Sequence, residues 1–200
     1  MTLDTDRRFV VNSFVALRLF KDIMAEHGAT NIGVANCMGG LIRPLDTPPC
    51  LALSLLNDEG LTGFCHVDLT HTMPSVLLRW ISGKPSFVAN THFPHHGMIT
   101  IAHCAAPRKM NGKDPEPVRI MTHFELDYGA ATKVEYTKGQ VTTTVVPNFA
   151  CTRWCGFRGK VLDNPSFPIC RTQIDLKIDG QWKRLTGEMQ GFHAVTCYGD

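Results

Sequence analysis

Histidine, carboxylate and amide side chains recur in this chain at the edges of apolar stretches. His66 and Asp68 stand two residues apart in CHVDLTHTMPS, where an apolar stretch gives way to a helical one. Asn90 ends PSFVAN, and His92, His95 and His96 follow it. His123 and Glu125 stand two apart in THFEL, and His193 lies in GFHAVTCYG. Imidazole nitrogens and carboxylate oxygens hold divalent ions. Either group can also take a proton from a carbon next to a carbonyl, if a positive centre stabilises the developing oxyanion.

Each of these residues also has an ordinary structural role. His66 reads equally as a strand residue hydrogen-bonded at a sheet edge. Asp68, just ahead of LTHTM, suits a helix N-cap. Asn90 suits a turn. His92, His95 and His96 read as exposed loop histidines, although their place beside Asn90 also suits a displaced metal site. His103, in IAHC, reads as a core histidine that supports a site. Glu125 reads as an acid or base, or as one end of a cross-strand ion pair with Lys133 or Arg119. Arg171, in CRTQ, could grip a sugar hydroxyl or an anion, or lie exposed on a strand.

These positions need elements to converge them. Val10, Phe14, Leu17, Phe20 and Met24 make one apolar stripe, which predicts a helix over residues 6–27, capped by Thr5 or Asp6. Residues 31–36 read as a strand, 37–49 as a loop rich in glycine and proline, 50–60 as a helix and 61–67 as a strand. Residues 69–83 read as a helix with Val76, Leu77, Trp80 and Ile81 inward, and Pro74 in its first turns. Residues 85–90 read as the next strand. This alternation predicts a partial parallel sheet with flanking helices, with ligands at the carboxyl ends of its strands. Residues 97–106 are a further strand, and 108–117 a polar linker. Six strands follow, at 118–126, 130–137, 140–148, 155–163, 170–179 and 191–199, with Lys138-Gly139 and Asp179-Gly180 as turns. The fold class expected is therefore α/β followed by all-β: an α/β domain over 1–107, then a small antiparallel barrel or sandwich over 108–200.

The totals narrow the classes of function. A formal charge of +2, with no run of basic residues, argues against a nucleic-acid partner. No apolar run is long enough to cross a bilayer, and MTLDTDRRF lacks the features of a signal peptide. Most of the eight cysteines lie in apolar strands, which suits reduced thiols in a cytoplasmic protein. Cys151 and Cys155 have no second pair, so they do not suggest a structural zinc site.

The order of motifs carries one resemblance. CLALSLLNDEG, a helix ending RWISGKPSFVAN, IAHCAAP, THFELDYG, KGQVT, CRTQ and GFHAVTCYGD follow one another across residues 6–200. In this order they resemble the C-terminal portion of the L-fucose isomerase and L-arabinose isomerase group, and most closely its uncharacterised fucose isomerase-like branch. That resemblance implies an α/β domain followed by a β-rich one, with a further N-terminal α/β domain in full-length members. It implies aldose–ketose isomerisation of a small sugar through an ene-diol, a manganese ion and no organic cofactor. It also implies a homo-oligomer, a trimer or a hexamer. The implied metal ligands, a Glu, an Asp and a His, fall on His66, Asn90 and His193. His66, Asp68 or Glu125 would then move the proton. With both carboxylates replaced, the set suits zinc, copper or nickel better than manganese. The alternative is a catalytically impaired fragment, or a sugar-binding or oligomerisation domain without catalysis that has lost the metal carboxylates.

Overall fold

The computed structural model describes residues 1–200. After β1 (Thr2–Asp4), α1 (Arg7–Glu26) starts at Asp6, whose carboxylate accepts the Arg8 N–H at 2.8 Å. β2 (Asn31–Gly33) follows. Residues 37–49, expected as a loop, wind into a π-helical turn at Cys37–Leu41 and the short α2 (Ile42–Leu45). α3 (Cys50–Asp58) then leads to β3 (Thr62–Phe64), which pairs with β2 in parallel, Asn31 opposite Thr62.

The buried face of α1 is Phe9, Ser13, Ala16, Leu17, Phe20 and Met24. Leu17, Phe20 and Met24 lie inward as expected, but Phe14 is exposed and Val10 only partly buried. The face is rotated toward Ser13 and Ala16, whose small side chains let α1 lie close against α3.

α4 (Leu69–Ser82) departs further from expectation. Its buried face is Thr70, His71, Pro74, Ser75 and Leu78, whereas Trp80 and Ile81 are 81% and 80% exposed. Leu77 is exposed as well. The inward face expected from Val76, Leu77, Trp80 and Ile81 is therefore corrected: the helix settles through its row of smaller side chains. Leu78 reaches Phe64, Val88, Val195 and Cys197 in a small satellite core.

β4 (Phe87–Thr91) does not extend the parallel pair. It runs antiparallel to β5 (Met98–His103), with Asn90 opposite Ala102. The connection over 92–97 is too short for the crossover that a parallel neighbour requires, so it folds back as a hairpin. The partial parallel sheet expected from the first half is thus reduced to the β2–β3 pair.

The six strands expected beyond residue 117 all form. They are β6 (Val118–His123), β7 (Tyr128–Val134), β8 (Val141–Pro147), β9 (Trp154–Asp163), β10 (Thr172–Ile178) and β11 (His193–Tyr198). β1, β6 and β7 make a three-stranded sheet, and β10-β5-β4-β11-β8-β9 close into a barrel. The barrel form of the expected β-rich fold is the one adopted, and it draws β4 and β5 from the chain ahead of the polar linker. α5 (Trp182–Glu188) is a helix that strand periodicity did not suggest; the Asp179-Gly180 turn leads into it. No helix is long and apolar enough to cross a membrane.

One hydrophobic cluster of 36 residues runs from α1 and α3 through the barrel and the three-stranded sheet. At its edge the side chain of Asp58, at the end of α3, is only 2% exposed. Its carboxylate accepts the Arg108 Nε–H at 2.6 Å and the backbone N–H groups of Arg108 and Lys109, each at 2.8 Å. Removing one partner of a buried ion pair leaves the other uncompensated. Asp58→Ala is expected to destabilise the fold by about 3 kcal/mol, read as a lower urea midpoint with an unchanged slope.

Candidate metal centre

The start of α4 sets the geometry. Asp68 caps the helix: its Oδ1 accepts the His71 N–H at 2.9 Å and the Thr70 hydroxyl at 2.6 Å. The cap reading of Asp68 therefore holds. The same carboxylate faces two imidazoles, with Oδ1 3.4 Å from His71 Nδ1 and Oδ2 3.3 Å from His193 Nδ1. The Thr70 hydroxyl lies 2.7 Å from that His193 nitrogen. Because its one proton goes to Asp68, Thr70 accepts from His193.

His71 and His193 stack with ring centroids 3.7 Å apart. His71 has no exposed surface, and neither of its ring nitrogens makes a hydrogen bond. A buried imidazole with both nitrogens orphaned is costly unless something else occupies them. One ligand atom from each of Asp68, His71 and His193 falls within 4.8 Å of the other two. Two imidazoles and one carboxylate form a donor set suited to borderline divalent ions such as zinc, iron or cobalt. The residues thus fit a metal, but not the implied manganese site with its two carboxylates.

His66 follows β3 and is exposed, 5.7 Å from His71 and 6.2 Å from both His193 and His103, ring centroid to ring centroid. Asn90 lies within β4 rather than at a turn, directly opposite His193 on β11. His66, Asn90 and His193, named from sequence, are therefore neighbours. His66 and Asn90 line a cavity of about 190 Å³, which His103, His123 and Glu125 also reach.

Glu125 lies just past β6. Its Oε2 is 3.1 Å from His123 Nδ1. The cross-strand ion pairs considered for it do not form: Lys133 meets Glu135 and Arg119 meets Asp4. His103 is buried, and its Nδ1 accepts the Ala105 N–H at 3.2 Å, as a supporting core histidine should. His92, His95 and His96 are exposed on the β4–β5 connection. Arg171 is partly buried rather than exposed on its strand; it donates to the Thr122 carbonyl at 2.7 Å and the Thr122 hydroxyl at 2.8 Å, bracing the end of β6.

Two features escaped sequence reading. His71 sits three residues past the cap on the buried face of α4, a position whose only signal was the cap itself. The other feature is thiols: Cys37, Cys50, Cys65, Cys104 and Cys170 all line the same cavity, although they come from separate elements. All eight cysteines are free. Cys65 donates to Cys37 across 3.3 Å, which lowers the Cys37 thiol to about 7, while Cys65 itself is raised.

Burial dominates at His71, His103 and His193. It lowers His71 to about 3, helped by the neighbouring His193, and it lowers His103 to about 4. His193 is lowered too, by burial that the Asp68 carboxylate partly offsets. Burial opposes the charge on Asp68, but the Thr70 hydroxyl and His71 outweigh it and hold the carboxyl below its usual range.

These shifts set an acid limit. An unfolded histidine protonates near pH 6.5, whereas folded His103 and His71 do so only near 4 and 3. Between those values the unfolded chain binds more protons, so acid favours unfolding. In metal-free protein, stability is expected to be full above about pH 6.5 and to fall toward pH 4, by up to about 1.4 kcal/mol per unit for each histidine. Melting temperature against pH tests this. His103→Asn keeps an acceptor for the Ala105 N–H and should flatten the acid limb; an unchanged limb would count against His103 as its source.

No protein-family model matches the chain, and no curated protein does, so the reading of this site stands on its geometry.

Proposed function

We propose that this chain is an isomerase-like protein of carbohydrate metabolism, one that moves a proton between neighbouring carbons of a small sugar beside a divalent metal ion. The observation that carries the reading is the cluster of Asp68, His71 and His193, with its orphaned imidazole, next to the cavity lined by His66 and Asn90. The resemblance to the fucose isomerase group supports the same reading.

Asp68, His71 and His193 would hold the ion, which when bound would polarise two adjacent sugar oxygens. Of His66, Asp68 and Glu125, His66 suits the proton transfer best. Asp68 is engaged by Thr70, His71 and His193, and Glu125 lies against His123, whereas His66 is exposed and makes no hydrogen bond or ion pair. His66 takes the C2 proton of the aldose and returns it to C1, while the C2 hydroxyl proton passes to the C1 oxygen; atoms and charge balance. The Asn90 amide can donate to one sugar hydroxyl and accept from another.

The test is exchange of the C2 proton in deuterated water across a panel of aldoses, with zinc, cobalt or manganese supplied. Exchange is expected, falling roughly 10²- to 10⁴-fold in His66→Ala, and His71→Ala should lose bound metal. Absence of exchange with every sugar and ion would overturn the isomerase reading.

A second observation favours self-association as part of this reading. Leu69, Met73, Leu77, Trp80 and Ile81 form an exposed apolar row on α4, larger than isolated surface hydrophobes and suited to a second copy of the chain. Light scattering should give a trimer or hexamer that Trp80→Lys shifts to smaller species. A monomeric native chain would rule that out.

A further inference from the structure

The thiol-rich part of the cavity is separate from the cluster just described. Cys104 follows β5, His123 ends β6, and Glu125 lies in the β6–β7 turn. One ligand atom from each falls within 4.8 Å of the others, and the group shares no residue with Asp68, His71 and His193. Cys104 and His123 are 2% and 7% exposed. His123 Nδ1 is buried without a hydrogen bond, although Glu125 Oε2 is 3.1 Å away. Cys170, just ahead of β10, brings its Sγ to 4.0 Å from Glu125 Oε1.

The scaffold around these groups is braced. The Cys104 carbonyl accepts the backbone N–H of Thr132 at 3.3 Å, and the Thr132 hydroxyl donates to the nearby Ala106 carbonyl at 3.0 Å. The β6–β7 turn is pinned by Arg171 on Thr122, and the Thr122 hydroxyl donates to Asp127 at 2.9 Å. The donors therefore converge from three segments that already hydrogen-bond to one another or to β7.

We propose that Cys104, His123, Glu125 and Cys170 form a second metal site, of the zinc class. Two sulfurs, one imidazole nitrogen and one carboxylate oxygen are the donors zinc takes in tetrahedral sites, and a set with four protein ligands is closed and structural. The thiols exclude the hard ions that prefer all-oxygen coordination. The site would tie the end of β5 and the start of β10, both in the barrel, to the three-stranded sheet at the β6–β7 turn. It would also take Glu125 out of proton transfer.

Cobalt(II) is the probe, because thiolate ligation gives a near-ultraviolet charge-transfer band that nitrogen and oxygen ligands do not. Titrating the reduced, metal-free chain should raise this band to saturation within about two equivalents, since the Asp68 cluster also takes cobalt, and zinc should abolish it. Cys104→Ser, which keeps the side chain's shape, should lose the band, and so should His123→Gln, with native circular dichroism checked for each. His71→Ala should keep it, because that variant disturbs only the other cluster. Cobalt bound without the band would overturn the proposal. So would a band that survives both Cys104→Ser and His123→Gln, since Cys37, Cys50 or Cys65 would then supply the sulfur. Failure of the isomerase reading would show instead as unchanged metal content in His71→Ala, so the two can be told apart.

Discussion

Strand β11 lies between β4 and β8, and its antiparallel register against β4 puts His193 opposite Asn90 and Ala194 opposite Ala89. The Phe192 carbonyl accepts both the backbone N–H and the hydroxyl of Thr91, at 2.7 and 3.0 Å, which fixes that register at its upper end. α4 then lies along β11 through Thr70, His71, Pro74 and Ser75. The spacing between Asp68, His71 and His193 is therefore inherited from a strand pairing and a helix contact. A slip of one residue in that pairing would turn His193 to the other face of the barrel wall.

Asp68 carries two duties on two oxygens. Oδ1 satisfies the first turn of α4 by accepting from His71 and Thr70, and Oδ2 faces His193. Capping favours the ionised carboxylate, as does a neighbouring positive centre, so the two duties pull in the same direction. The helix needs its small-residue face to bring Asp68 this close to β11, which is why its bulky side chains are left outside.

Local elements were legible in the sequence because periodicity is a local property. The helices at 7–26, 50–58 and 69–82 and the six late strands follow from it. It could not say which sheet a strand joins. PSFVAN reads the same in a parallel sheet as in a barrel wall, and only the short return over 92–97 separates the two. It also misjudged α4, because an apolar stripe shows which face is hydrophobic, not which face the fold covers. For the site, His66, Asn90 and His193, expected as metal ligands, do lie near one another, but the donor cluster with His193 is Asp68 and His71; Asp68 is the cap it was read as. His71 stayed hidden because a histidine in a first helical turn looks solvent-facing. The thiols stayed hidden because most of them read as small strand hydrophobes and Cys37 and Cys50 fell in a loop and a helix, with nothing local to join them.

The closed barrel bears on the order in which the molecule assembles. Its β4–β11 seam joins a strand near the middle of the chain to the last strand. During synthesis α4 and β4 would leave the ribosome well before His193 exists. Until β11 arrives, β4 and β8 hold open edges, and the imidazole of His71 has neither its stacking partner nor its cover. Non-local pairings of this kind slow folding and expose edges in the meantime. The part of the molecule that holds Asp68, His71 and His193 is thus defined late, because that cluster stays incomplete until β11 has been made.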